Sequence, residues 1–387
     1  MKKPQEWIRE WFFPEPKEEE LFPPAPNLDK LPEEYLRRFV LSPVQEPAQV
    51  LGRGGEDGEL KEVEKALANW KQRGTPLLLS AEQGAGVTSL LNAALPLLPP
   101  PRSFLEDKER ISSREELLRV LATALGVEGA DSLEQLAGAG FEEPRVVVFE
   151  NVERLLLRRI GGYGLLRDFL HFINATKSRV FWIVTINDYS LYFLNRAMNL
   201  ADSFSARKAA HLPNDVIKEI ILSRNDGYEM RFLRPEGVSP RHKRRLSKMD
   251  AAARQENLRE HFFEQLLKFA GGNISRALLF WLTAAQGAKE GRVYLRPPHT
   301  GEPQEVSLEE LLVLEAVFQH TSLSFDEVEG IFHHSSYNGR LLLDKLLSRG
   351  WLYPRELRSG VQEYQVNFWY LHELKALLKN KLNRHIP

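Results

Sequence analysis

The chain has 387 residues, 43% of them apolar, which is enough for two or three compact domains with buried cores. Its 52 Lys and Arg balance 53 Asp and Glu, so bulk positive charge is excluded as a means of holding nucleic acid or anionic lipid, and only a local patch is left for that. With no cysteine there is no disulfide, thiolate metal site or cysteine nucleophile, and no apolar run approaches the roughly 18 residues of a membrane span, so the reading is a cytoplasmic protein without membrane insertion.

Residues 1–57 are rich in proline, acid and glycine, as in "FPEPKEEELFPPAPNLDKLP", and read as an arm with no core of its own. Within it Trp7, Ile8, Trp11 and Phe12 fall at helical spacing. A short helix there would show one apolar face, packed on the protein's own body or gripping a neighbour.

From residue 58 to 213 the pattern alternates. The helical "ELKEVEKALANW" leads to the apolar strand "PLLLS", then a glycine loop and a helix closed by Pro96. The helix "SREELLRVLATALG" follows, then the strand "RVVVFEN", the helix "GLLRDFLHFINAT" and the strand "RVFWIVTIND". Short apolar strands alternating with helices predict an α/β domain with a parallel sheet covered on both faces. Ligands of such sheets bind beyond the carboxyl ends of the strands, where the loop, Glu150 and Asn187 would gather.

Residues 214–290 read as helices alone: "NDVIKEIILSR", "MDAAARQENLREHFFEQLLKFAGG" and "NISRALLFWLTAAQG". Between them "RHKRRLSK" holds five Lys or Arg at 241–248 and no acid. It reads as a mobile solvated loop, with a second nucleic-acid contact as the alternative. After "LRPPHTGEP", residues 300–387 show helix, short helix capped by Ser324, helix, two strands around "RSG", and helix, which is the winged-helix order.

The stretch "AEQGAGVTS" has the frame of a phosphate-binding loop, with Ala81, Gly84, Ala85, Gly86, Val87, Thr88 and Ser89 as the expected contacts to ATP or ADP. Glycines let the chain wrap phosphate oxygens and aim backbone N–H groups at them, at the positive end of the next helix. Thr88 keeps the hydroxyl for magnesium, but Val87 stands where lysine would meet the outer phosphates. Loss of that charge-assisted bond, worth roughly 1.5 to 3 kcal/mol, weakens binding by about ten- to a hundredfold. After Val146 to Phe149, Glu150 could reach a magnesium ion, while Asn151 can orient water but cannot take its proton. An ordinary strand-to-helix turn with a capping asparagine accounts for the same pair.

The run from "AEQGAGVTSLL" through "VVVFENVERLLLRRIGGYG", "RVFWIVTINDYSLYFL" and "FAGGNISRALLFWL" to a terminal winged helix resembles an AAA+ ATPase of the Orc and Cdc6 branch or a related bacterial ATPase. The resemblance implies a P-loop domain, a helical lid over 214–290 and a winged helix. It makes Asn187 the sensor 1 residue, with Thr185 as alternative, and Arg276 the sensor 2 arginine. Arg207, just before a presumed last strand "KAAHLP", becomes the arginine finger, with Arg196 as runner-up. A homo- or hetero-oligomer with another AAA+ subunit is implied in the same way.

Charge in the winged helix is segregated: residues 301–335 hold eight acids and no Lys or Arg, whereas 336–387 hold nine Lys or Arg and four acids. Asn338, Arg340, Lys345 and Arg349 of the third helix, with Arg355 and Arg358 of the wing, are the candidates for double-stranded DNA, the cations on phosphate and Asn338 or Arg340 on a base edge. A basic face for an acidic protein is the alternative. His333 and His334 are adjacent and not at ligand spacing, so no metal beyond magnesium is assigned. The expected protein is a degenerate AAA+ ATPase that works by binding DNA or a partner. A slow DNA-dependent ATPase and a nucleotide-free scaffold are the alternatives.

Overall fold

The computed structural model of the chain describes residues 31–39, 41, 43–44, 53, 58–105, 110–140, 143–235, 240–298, 305–333, 336–357 and 360–382. Trp7, Ile8, Trp11, Phe12, His334 and Arg358 lie outside the described residues. Two compact units form, one from Met1–Val40, Ile221–Phe269 and Ala277–Gly301, the other from Leu41–Ile220, Ala270–Arg276 and Glu302–Pro387.

Helix α1 (Glu33–Arg38) belongs to the first unit. Helix α2 (Glu59–Arg73) buries Val63, Ala66 and Trp70 on one face and stops at Gly74, whose left-handed φ of 64° a side chain would resist. Strand β1 (Leu77–Ala81), helix α3 (Val87–Ala94), strand β2 (Arg102–Leu105) and helices α4 (Arg114–Leu125) and α5 (Leu133–Gly138) follow. Ser113 and Ser132 cap α4 and α5 by accepting backbone N–H bonds. Then come β3 (Arg145–Phe149), α6 (Gly164–Thr176), β4 (Val180–Asn187), α7 (Asp188–Met198) and β5 (Ser205–Lys208).

The five strands make one parallel sheet in the order β2-β3-β4-β1-β5. Its central strand explains the two-sided core. Val180, Trp182, Val184 and Ile186 face one apolar cluster, and Phe181 and Ile183 face the other. Every residue of β4 is buried, as a parallel strand covered on both faces requires. Register puts Ala81 beside Asn187, so the glycine loop leaves the sheet next to the end of β4.

Two edge strands differ from expectation. The polar "RSFL" forms β2, and the last strand is Ser205–Lys208, not "KAAHLP". It pairs with Leu77–Ser80 of β1, so Arg207 lies inside the strand. Edge strands need only one apolar face and one partner, so their sequences carry little hydrophobic signal.

Helices α8 (Asn214–Arg224), α9 (Pro240–Ser247), α10 (Ala251–Ala270) and α11 (Ile274–Ala284) follow. The basic run is therefore helix α9 and not a loop; Pro240 sits at its first position, where the missing N–H costs nothing. Nor is this region helical throughout. Strands β6 (Glu229–Phe232), β7 (Ala285–Lys289) and β8 (Arg292–Leu295) form a small sheet in the order β6-β8-β7. The helical pattern of "ISRALLFWLTA" gives way directly to β7, and Glu290 and Gly291, both at positive φ, make the tight turn between β7 and β8. In this first unit Tyr35 and Phe39, from the proline-rich arm, are fully buried, and Phe39 stacks on Trp281 at 5.7 Å.

The chain ends in α12 (Leu308–Gln319), β9 (Leu323–Ser324), α13 (Phe325–Phe332), α14 (Ser336–Ser348), β10 (Leu352–Glu356), β11 (Gln362–Val366) and α15 (Leu371–Leu382). Capping boxes at Ser307 with Glu310 and Ser324 with Glu327 start α12 and α13. Strand β11 pairs antiparallel with β10 and β9, which completes a winged helix.

The winged helix and the five-stranded domain lie in one unit, joined by buried polar contacts. Arg154, just past β3, donates to both oxygens of Glu363 on β11 at 2.8 and 3.2 Å, and Ser322 donates to Glu363 at 2.6 Å. Arg110 donates to the carbonyls of Arg154, Leu156 and Ser322. Burial would push the Glu363 carboxyl up; the Arg154 guanidinium and the hydrogen bonds outweigh it and hold it below the usual carboxylate range.

Removing one member of a buried pair strands the other, so Arg154→Met should cost about 3–5 kcal/mol in urea unfolding. Because the Glu363 pKa is lowered on folding, its contribution is present above the ordinary carboxylate pKa of about 4.3 and is lost as pH falls through the folded value. The urea midpoint of the wild type should therefore drop in that acid range, and Glu363→Gln should blunt the drop.

Candidate functional site

Between β1 and α3, Gly84 and Gly86 adopt left-handed φ of 83° and 84°, so the chain turns sharply and α3 begins at Val87 with its first-turn N–H groups at the loop. That is the arrangement that receives phosphate oxygens. Thr88 donates to Glu150 at 2.7 Å, so the hydroxyl and carboxylate expected for magnesium meet at the carboxyl ends of β1 and β3. Val87 is partly buried, packing with Ala81, Ala85 and Ala209 and against the apolar layer under the sheet. Ser89 faces elsewhere, its hydroxyl accepting from the N–H of Val44 at 3.0 Å.

The loop is closely backed. A Cβ on Gly84 would stand 2.9 Å from Ser275 Cβ and 3.0 Å from Phe368, and the Ser275 N–H donates to the Gly84 carbonyl at 3.2 Å. Asn273 donates to the Gln83 carbonyl at 2.9 Å. Buried Arg53 donates to the Ala85 carbonyl and pairs with Glu59.

Asn151 takes a left-handed φ of 53°, which asparagine tolerates, and its N–H donates to Thr185 Oγ1 at 2.8 Å. Its side chain makes no capping bond to the short helical turn that follows, against the capping alternative. Asn187 caps α7 through Ser190, and its amide donates to Glu153 at 3.0 Å and Thr321 at 3.1 Å. The expected sensor 1 side chain is thus held in the polar network facing the winged helix, whereas Thr185 holds the turn after β3. Arg276, in the first turn of α11, is 7% exposed, and burial lowers its pKa against the pull of Glu82 and Glu373.

Arg207 is exposed on the edge strand, with Glu62 at 3.5 Å; Arg196, near the end of α7, bonds the Tyr192 hydroxyl at 2.8 Å. Their partners, Glu62 and Tyr192, lie outside the loop 81–89.

On the winged helix, Asn338, Arg340 and Lys345 are exposed on α14, and Arg355 is half-buried on β10. Arg340 lies over the Phe325 ring at 5.7 Å. Arg349 is a structural tie: it donates to the Glu310 carboxylate at 3.0 and 3.1 Å and to the Glu305 carbonyl. Leu341 and Asp344 share the exposed side of α14, so that helix is less uniformly basic than the charge count of the segment suggests.

Residues that sequence reasoning missed cluster on the loop. Glu82 pairs with Lys375 of α15 at 2.7 Å, and Phe368, Asn273 and Arg53 pack on the turn. Arg53, Phe368 and Lys375 come from distant segments with no motif of their own, whereas Glu82 and Asn273 lie within stretches already singled out for other residues. Among the described residues no group of three or more His, Asp or Glu could hold a metal ion. The backbone donors, Thr88 and Glu150 fit a nucleotide with magnesium; Val87 does not fit its outer phosphates.

No protein-family model matches the chain, and no curated protein matches it. Similar solved structures include the Orc1 protein of Aeropyrum pernix in complex with DNA, at 16% identity and a TM-score of 0.46 over 88% of this chain and 98% of that one. A Walker-type ATPase of Pyrococcus abyssi is similar at 14% identity and 0.41, over 87% and 99%. Cdc6p from Pyrobaculum aerophilum is similar at 14% and 0.38, over 90% and 98%. With its five-stranded parallel sheet, its glycine loop after β1 and its terminal β-wing, the chain has a parallel-sheet α/β fold followed by a winged helix.

Gly84 combines positive φ with a crowded Cβ position, so Gly84→Ala should destabilise the protein by more than about 1 kcal/mol. Thermal unfolding would show it. Gly129, which has positive φ but open space around it, should tolerate alanine better.

Proposed function

We propose that the protein binds ATP or ADP with magnesium weakly at the loop 81–89, hydrolyses it poorly or not at all, and works as a DNA- or partner-binding subunit of an AAA+ assembly. The observation that carries this is the loop itself: glycine turns and the Thr88–Glu150 pair are formed while Val87 packs among alanines. Binding determinants are backbone geometry and a metal-ready hydroxyl; the missing lysine is the group that would stabilise charge developing on the transferred phosphate.

In this reading Gly84, Gly86 and the N-terminus of α3 hold phosphate, and Thr88 and Glu150 hold magnesium. Asn151 orients water without deprotonating it, and Arg276 faces the outer phosphate. Asn187 or Thr185 completes the polar edge of β4. The exposed Arg207 on edge strand β5 is the group a neighbouring subunit would meet. DNA contact falls to Asn338, Arg340 and Lys345 on α14 with Arg355 on the wing, because Arg349 is engaged within the fold. Among the described residues no helix is long and apolar enough to cross a membrane.

Calorimetry with ATP and magnesium should show weak binding by the wild type and binding about ten- to a hundredfold tighter by Val87→Lys. Phosphate release should stay at background; turnover that vanishes in Glu150→Gln would make the protein an active ATPase instead. Lys345→Ala should weaken duplex DNA binding across sequences and reduce the salt slope by about one. No binding to duplex at low salt would redirect the winged helix to a protein ligand.

A further inference from the structure

We propose that Lys375 of the winged helix is the cation that receives the outer phosphate at this loop, in place of the lysine that Val87 lacks, and that Glu82 is the internal anion holding it there in the absence of nucleotide. The inference deepens the nucleotide-binding reading above and rests on it.

Lys375 projects from the second turn of α15, and its Nζ lies 2.7 Å from Glu82 Oε1. Glu82 is the first residue after β1 and 8% exposed, so this carboxylate belongs to the loop and is largely withdrawn from water. Its other oxygen has His211 Nε2 at 3.9 Å, and Arg276 feels it as the first of two nearby acids, with Glu373 as the second. Lys375 therefore pairs directly with the loop carboxylate, and Arg276 lies within electrostatic reach of it. A cavity of about 10 Å³ is lined by Glu82, Gln83, Asn187, Asp188, Tyr189, Phe318 and Lys375, with Asp188 paired to Lys208 at 3.0 Å. It sits where β1 and β4 end side by side, the place at which ligands of parallel sheets bind, and has room for about one water.

A buried carboxylate needs matched charge, and so does a phosphate oxygen. The same two cations can serve either. A nucleotide whose outer phosphate reaches this end of the loop would replace Glu82 as the partner of Lys375, and repulsion would drive the Glu82 carboxylate away from the phosphate. Two consequences follow from the charges alone. Glu82 opposes nucleotide binding, and Lys375 favours it through its own charge as well as through its hold on Glu82. Because Lys375 belongs to the winged helix, exchange of its partner also loosens one of the contacts between that domain and the loop.

The test is calorimetric binding of ATP with magnesium to the full chain as wild type, Glu82→Gln, Lys375→Met, the double variant and Val87→Lys, with thermal unfolding to verify each fold. Glu82→Gln should bind about tenfold tighter than wild type and Lys375→Met about tenfold weaker. The double variant should bind about tenfold weaker than Glu82→Gln alone. If Lys375 acts only by holding Glu82, the double variant will bind as tightly as Glu82→Gln, and the inference is overturned. Wild-type binding unchanged by Lys375→Met overturns it too, while leaving the nucleotide reading in place. No binding by wild type, Glu82→Gln or Val87→Lys overturns both. Should Lys375→Met fail to fold, Lys375→Gln keeps a donor without the charge and carries the same expectations.

Discussion

The guanidinium of Arg154, shared between Glu363 and Ser322 where almost no water reaches, is the contact on which this unit depends. It leaves the sheet directly after β3 and meets the wing strand β11, so it joins two segments more than two hundred residues apart in the chain. Its neighbour Glu153 accepts from Asn187 and Thr321 in the same layer, and Tyr189 donates to Glu315 at 2.6 Å. Charges removed from water are tolerated only when each is matched, so the winged helix cannot shift along the sheet without exposing several unpaired groups together. The surroundings of the glycine loop, Phe368 and Lys375 among them, follow from that docking.

The loop shows how one geometry can have two causes. Gly84 is required by its left-handed φ and by Ser275, Asn273 and Phe368 packed where a side chain would stand, and neither reason involves a nucleotide. The bond between Thr88 and Glu150 satisfies both groups within the protein as well. What separates a working phosphate site from a packed turn is charge. Here the position that would supply it holds a valine among alanines; Arg53 reaches the Ala85 carbonyl but is paired with Glu59, and the cations beside Glu82 come from α11 and α15.

The winged helix makes the same point about counting residues. Segregated charge in its second half suggested a uniformly basic face, yet Arg349 is bound to Glu310, Arg340 lies on an aromatic ring and Asp344 shares the helix surface. A cation engaged with a neighbouring carboxylate adds little to the field a duplex would feel.

The sequence by itself determined the layers. Continuous apolar strands such as "VVVF" and "VFWIVTI" can be satisfied only between two helical faces, and the serine caps and glycine stops bounded the helices between them. The glycine loop, the valine in it and the order of the terminal winged helix were readable for the same reason: they are local patterns with a local physical cause. Tertiary structure decided the rest. Edge strands β2 and β5 and the small sheet β6-β8-β7 have too weak a periodicity to declare themselves, and helix α9 carries one leucine among its cations, so its sequence reads as a solvated run. So too with the partners of the loop: Glu82 stands in the loop motif with no role of its own, and Lys375 is one of several lysines on a terminal helix. Nothing but the docking of α15 against the sheet puts them 2.7 Å apart, because an ion pair between distant segments leaves no mark on either segment alone.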